Sequence, residues 1–70
     1  MKLKLKNGFG AVRNIVLVLN AATGDVVGEA HINRRPGWRG GPWYSFHPNE
    51  AGASAGLQHR SEPSVRALLA

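Results

Sequence analysis

An apolar run at residues 15–19 constrains the fold of this chain most strongly. It reads IVLVL and is bounded by asparagines on both sides. Side chains branched at Cβ favour extended backbone, and a run of this length is typical of a strand. It is far shorter than the roughly 20 apolar residues that a transmembrane helix requires. Residues 14–20 therefore predict a strand, and the absence of polar positions inside the run indicates burial on both faces of a sheet.

The N-terminal segment alternates between apolar and charged residues. In residues 1–6, Leu3 and Leu5 fall on one face and lysines on the other, which predicts a half-buried strand with a charged outer face. Asn7 and Gly8 tolerate positive φ, so they predict a tight hairpin that leads through residues 11–14 into the second strand. The residues of the charged face are Lys2, Lys4 and Lys6.

Two further strands follow. Residues 21–25 predict a hairpin, and residues 26–33 predict a third strand with one small-residue face towards the core. Two of its members, Gly28 and Ala30, leave space for an aromatic ring or a helix. The predicted core face of this strand consists of Val26, Gly28, Ala30 and Ile32.

Residues 42–47 predict a fourth strand, with Tyr44 and Phe46 towards the core. Residues 50–60 lack periodicity and predict a mobile loop from which Leu57 reaches the core. Residues 61–70 predict a short helix capped by Ser61, with an apolar stripe to lay on the sheet. The chain therefore predicts one α+β domain over residues 1–70, a small antiparallel sheet of about four strands with one C-terminal helix packed on one face.

Composition narrows the classes of function. Nine Lys and Arg residues oppose four Asp and Glu residues, which gives a formal net charge of +5. A surplus of this kind on a small body attracts polyanions. The chain has no cysteine, which fits a reducing compartment. Because the N-terminal segment lacks the apolar run of a signal peptide, we expect a cytoplasmic protein without a membrane partner.

Catalysis and metal binding are not expected. The four acidic residues show no spacing typical of a general acid and base pair. His31 and His47 become neighbours if the third and fourth strands pair, but a metal site would need a third ligand from His59 or Glu29. We therefore predict no catalytic residue, no metal ion and no cofactor.

The loop at residues 34–41, RRPGWRGG, is the predicted contact surface. Its arginines, Arg34, Arg35 and Arg39, offer planar guanidinium groups that fit phosphate oxygens and guanine edges. Trp38 lies among them and offers a face on which a base can stack. Arginine and tryptophan are also enriched at protein-protein hot spots, so the same loop equally fits a protein partner.

A strand within residues 28–32, the strand WYSF at 43–46 and the helix at 61–69 resemble small DNA-binding modules. These are the three-stranded-sheet-plus-helix modules of phage integrase arm-binding domains and AP2 domains. In such modules the sheet face away from the helix enters the major groove. Glu29 also falls on that face, and its negative charge is unfavourable for binding DNA. The resemblance implies a reading face formed by His31, Asn33, Trp43, Ser45 and His47.

The leading prediction is non-catalytic binding of nucleic acid, duplex DNA, by a basic Arg/Trp loop and sheet surface. Lys2, Lys4 and Lys6 would hold phosphates together with the loop arginines, and Trp38 would stack. The alternative is a small protein-protein interaction module of the kind that phages encode, which binds a host or virion protein through the same loop. Pairing of sheet edges would make such a module a dimer.

Overall fold

The computed structural model describes residues 1–8, 14–33 and 42–70. These residues form a single antiparallel sheet with strands in the order β1-β2-β3-β4-β5. The α+β class and the antiparallel sheet are thus confirmed, whereas the prediction of four strands and one helix is wrong. The elements are β1 Leu3–Leu5, β2 Ile15–Asn20, β3 Val26–Asn33, β4 Trp43–Pro48, α1 Glu50–Ser54, β5 Arg60–Glu62 and α2 Val65–Leu69.

The connection from β1 to β2 is not a tight hairpin. Asn7 and Gly8 do adopt positive φ, 69° and 64°, as the turn signal predicts. However, β2 begins only at Ile15, so these two residues cannot by themselves close the connection. Residues 9–13, which include part of the predicted entry into β2, lie outside the described residues.

The strand β2 is buried on one face only. Val16 and Val18 are 7% and 0% exposed, whereas Ile15 and Leu17 on the other face are 52% and 37% exposed. The prediction of burial on both faces is therefore wrong. The physical reason is that the hydrophobic core gathers on one side of the sheet, where α2 contributes Leu68 to it.

The hairpin predicted at residues 21–25 is confirmed. The amide of Asn20 donates to the carbonyl of Asp25 at 2.8 Å, and the amide of Gly24 donates to the carbonyl of Asn20 at 2.7 Å. Gly24 has φ 80°, a conformation that glycine adopts without steric cost. The hairpin aligns β2 with β3.

A bulge in β3 changes which of its residues reach the core. Val18 pairs with Gly28 but Leu19 pairs with Val26, so Val27 is an extra residue on β3. The bulge turns Val27 inwards, to 3% exposure, and leaves Val26 38% exposed. The predicted core face is therefore wrong at Val26. It is right at Gly28 and Ala30, beyond the bulge.

The small residues of β3 make room for an aromatic ring, as predicted. Ala30 pairs with Phe46, which is 1% exposed at the centre of the core. A Cβ added at Gly28 would lie 2.7 Å from Cε1 and 2.9 Å from Cζ of Phe46. Glycine at this position therefore allows the ring to lie directly on the strand.

Residues 50–60 contain a helix instead of the predicted mobile loop. Asn49 caps α1, because its side-chain oxygen accepts a hydrogen bond from the amide of Gly52 at 2.8 Å. The same residue joins α1 to β3, since its backbone amide donates to the carbonyl of Val27 and its side-chain amide to that of Val26. Leu57 packs against the core, as predicted.

The C-terminal helix begins later than predicted. Residues 60–62 form β5, which pairs with β4, so Ser61 belongs to a strand and does not cap the helix. Ser64 is the cap, and its hydroxyl accepts from the amide of Ala67 at 3.1 Å. The Arg60 guanidinium donates to the carbonyls of Leu68 and Ala70, which fastens α2 to β5. Among the helices of the described residues, none has the length and apolar character needed to cross a membrane.

Candidate functional site

The sheet face opposite the core carries the candidate site, and we call it the outer face. One cross-strand row begins just after β1 and ends just before β5. It consists of Lys6, Leu17, Glu29, His47 and His59. The amide of Lys6 donates to the carbonyl of Leu17 at 2.9 Å. Leu17 pairs with Glu29, and Glu29 pairs with His47. The ring of His59 lies against that of His47. One row therefore combines a lysine, a carboxylate and two imidazoles.

A second row lies one step along the strands. Ile15 pairs with His31, His31 with Ser45, and Ser45 with Ser61. Ser45 is only 6% exposed. Its hydroxyl accepts a hydrogen bond from the side-chain amide of Asn33 and lies 3.2 Å from the hydroxyl of Ser61. Ser45 is on the predicted face but is buried, so its hydroxyl holds neighbouring side chains in place beneath the surface.

All three histidines of the chain meet on the outer face, and we call them the histidine cluster: His31, His47 and His59. The ring centroids of His31 and His47 are 4.2 Å apart, at an interplanar angle of 50°. Those of His47 and His59 are 4.7 Å apart, at 63°. The Nε2 atom of His31 also lies 3.0 Å from Oε2 of Glu29. The predicted proximity of His31 and His47 is thus confirmed.

The cluster lowers the pKa of its central member. Burial is the largest cause of the lowered pKa of His47, followed by the proximity of His31 and then of His59. Glu29 acts in the opposite direction, because its negative charge favours the imidazolium. The pKa of His47 in the folded protein is therefore below its ordinary value of 6.5, which favours the neutral imidazole.

This lowered pKa predicts a loss of stability in mild acid. The folded state binds the proton of His47 less tightly than the unfolded state, so acidification favours unfolding. The free energy of unfolding should not be reduced by His47 above pH 6.5, the ordinary pKa of histidine. It should decrease as the pH falls from there towards the lower pKa of His47 in the folded state. Urea denaturation across this range measures the effect. The slope should flatten in His47→Gln, and an equal slope in that variant would contradict the assignment to His47.

The three predicted lysines lie along one edge of the sheet. Lys4 pairs with Leu19 of β2, while its neighbour Leu3 is 8% exposed and belongs to the core. The predicted alternation of β1 is therefore confirmed, and the lysines share the outer face with the histidine cluster. Their side chains, those of Lys2, Lys4 and Lys6, are all exposed.

Asn33 and Trp43 of the predicted reading face lie at one end of the sheet. Asn33, the last residue of β3, is exposed and pairs with Trp43, the half-buried first residue of β4. These two residues bracket the predicted contact loop. The contact residues of that loop lie outside the described residues, and their role stays a prediction: Arg34, Arg35, Trp38 and Arg39.

The sequence did not place His59 in the candidate site. His59 follows α1 in the chain, and it lies beside His47 because β4 pairs with β5. The pairing of Phe46 with Arg60 aligns the two histidines. In the part of the chain that the structure describes, no group of three or more His, Asp or Glu side chains has the arrangement of a metal site.

The outer face thus combines cations, imidazoles and exposed apolar side chains on one surface. Comparisons with protein-family models, with curated proteins and with solved structures found no match to this chain.

Proposed function

We propose that this protein binds nucleic acid without catalysis and that its ligand is duplex DNA. The observation that carries the proposal is the composition of the outer face. The exposed Lys4 of β1 and the flanking Lys2 and Lys6 share it with the histidine cluster. The exposed side chains of Ile15 and Leu17 lie on the same face. The formal net charge of +5 supports the same ligand class, because it attracts polyanions over the whole surface.

The lysines suit the phosphate backbone of DNA. Same-face side chains of a strand recur about every 6.6 Å, twice the rise per residue. Duplex DNA carries one negative charge for about every 1.7 Å of its axis, so each ammonium group in such a row finds a phosphate within reach. Such contacts give affinity and orientation and carry no sequence information.

The loop at residues 34–41 is proposed to supply the contacts with the bases. It joins the end of β3 to the start of β4, beside the exposed Asn33. Its arginines would contact phosphates or guanine edges, and Trp38 would stack or wedge between bases. The resemblance to integrase arm-binding and AP2 modules is consistent with this use of a sheet, although Glu29 is unfavourable beside phosphate.

Fluorescence anisotropy of a labelled short duplex, titrated with protein at several salt concentrations, tests the proposal. Contacts with three phosphates should give a slope of log affinity against log salt of about −3. The absence of binding at micromolar protein and low salt, with both duplex and single-stranded DNA, would overturn the proposal.

A matched pair of variants locates the surface. Lys4→Gln removes a charge from the outer face, and Arg66→Gln removes a charge from the exposed side of α2, which packs on the core side. We expect Lys4→Gln to reduce the magnitude of the salt slope by about 1, and Arg66→Gln to leave it unchanged. Equal effects would indicate attraction by net charge alone.

The loop is tested in the same assay. The double variant Arg34→Ala with Arg35→Ala should weaken binding of the duplex while the melting temperature stays nearly constant. A lowered melting temperature would assign these arginines a structural role instead.

One observation favours a second candidate function. Ile15 and Leu17 expose 52% and 37% of their surface side by side on the outer face, and exposed apolar side chains are typical of protein-protein contacts. The same surface would then bind a protein, or a second copy of this chain through a sheet edge. Sedimentation at high salt discriminates: an association that persists there supports this candidate, whereas DNA binding weakens.

A further inference from the structure

We propose that the histidine cluster is a proton-dependent contact for phosphate, so that the protein binds its polyanion more tightly as the pH falls. The inference rests on the proposed function and deepens it, because it assigns a regulated contact to the outer face. It extends the lysine row across the sheet to the far edge.

The arrangement of the cluster carries the inference. The three imidazoles come from β3, β4 and the segment before β5, and adjacent rings lie 4.2 and 4.7 Å apart. A neutral imidazole has one N–H donor, whereas an imidazolium has two donors and a positive charge. Protonation therefore converts this stack into a group of cationic donors suited to phosphate oxygens.

The charges around the cluster explain why a ligand is needed. Three imidazoliums at these distances repel one another, and of the charged groups that face them, Glu29 is the one that offsets this repulsion. Lys6, at the far end of the same row, adds positive charge. In the free protein, burial and the neighbouring rings lower the pKa of His47, so this central ring resists protonation. A phosphate lying on the rings would supply the missing negative charge.

Proton-linked binding has a measurable slope. If binding of a polyanion takes up one proton, affinity rises by about tenfold for each unit by which the pH falls. Histidine is the side chain whose ordinary pKa places such a change between about pH 5 and 8. If binding takes up no proton, the net charge of +5 stays constant over this range, and the affinity should change much less with pH.

The experiment measures affinity for a rhodamine-labelled duplex from about pH 7.5 to about pH 5.5 at constant ionic strength. Circular dichroism at each pH verifies that the protein stays folded. The wild-type protein should bind at least about tenfold more tightly at the lower pH. A control variant with His31→Gln, His47→Gln and His59→Gln should show little change. It also corrects for every other group that titrates in this range.

A second measurement does not depend on the folding of that variant. Histidine ring signals in NMR spectra of the wild-type protein report the pKa of each imidazole directly. Addition of saturating duplex should raise the pKa of His47, and inorganic tripolyphosphate should raise it in the same direction if phosphate oxygens are the group recognised. Unchanged histidine titrations on binding the duplex would overturn the inference.

The outcomes separate the two proposals. Binding of the duplex with a steep salt slope but with equal affinity at both pH values would overturn the proton-dependent contact and leave DNA binding intact. An equal gain in the wild type and in the triple variant would do the same. The absence of binding at both pH values would overturn the proposed function and the inference together.

Discussion

Gly52→Ala is expected to destabilise this protein strongly, although alanine ordinarily stabilises the interior of a helix by about 1 kcal/mol over glycine. Gly52 is a buried residue of α1. A Cβ there would collide with the carbonyl oxygen of Val27, and would lie 3.1 Å from its carbonyl carbon and 3.3 Å from Cβ of Pro48. The carbonyl of Val27 cannot yield freely, because it also accepts the hydrogen bond of Asn49 that begins α1.

The helix must therefore move away from β3, and the cap at Asn49 would be lost with it. We expect a cost of about 3 kcal/mol, at the upper end of what overpacking costs. For a domain of this size that lowers the melting temperature by roughly 12–24 °C. Thermal and urea denaturation measure it. The control is Ser54→Ala, an exposed position of the same helix, which should be neutral or slightly stabilising. A stable Gly52→Ala would show that α1 does not rest on β3.

Phe46→Ala is expected to remove a large share of the stability of this protein. Phe46 is 1% exposed and is among the largest fully buried side chains of the described residues. Truncation of a buried phenylalanine costs about 3–5 kcal/mol. A 70-residue domain has a total stability of roughly 4–10 kcal/mol, so the variant loses between about a third and all of it. Because Gly28 has no side chain that can move into the space, collapse of the cavity is limited.

Ile15→Thr is the matched control for this experiment. Ile15 is also a large apolar residue of the sheet, but it lies on the outer face and is 52% exposed. Threonine keeps the branching at Cβ that favours a strand, so we expect a change of less than about 0.5 kcal/mol. A loss comparable to that of Phe46→Ala would mean that the outer face is covered in the folded protein. Urea denaturation of both variants decides between these results.

The contrast between these two positions also bears on function. A chain of this length has few large apolar side chains, and it leaves Ile15 and Leu17 exposed beside lysines and imidazoles. Burying them would have strengthened a small core. Under the proposed function they belong to the contact surface, and the assays with duplex DNA ask whether the partner is nucleic acid.

Several features of the fold followed from local sequence. Residues 26–33 were predicted as a strand and form β3 with those bounds. The alternation of residues 1–6 correctly separated the lysines from Leu3 and Leu5. The small side chains of Gly28 and Ala30 correctly predicted space for an aromatic ring or a helix, and the ring of Phe46 lies there. In each case the signal lies in side-chain size or in a period of two, and both act within one strand.

Other features depended on contacts between distant segments. The bulge at Val27 reverses which valine is buried, and it arises from the pairing of β3 with β2. Residues 60–62 have little intrinsic preference for a strand, and they form β5 because β4 offers them an unpaired edge. The apolar run of β2 was interpreted as buried on both faces because hydrophobicity alone does not tell which side of a sheet is covered.

The sequence by itself determined the antiparallel α+β class, the bounds of β3 and the charged face of β1, because these follow from periodicity and turn chemistry. Only the tertiary structure decided that His59 joins His31 and His47 in one cluster. The physical reason is register. A cross-strand neighbour is set by how two strands align, and one bulge or one added strand changes every neighbour beyond it.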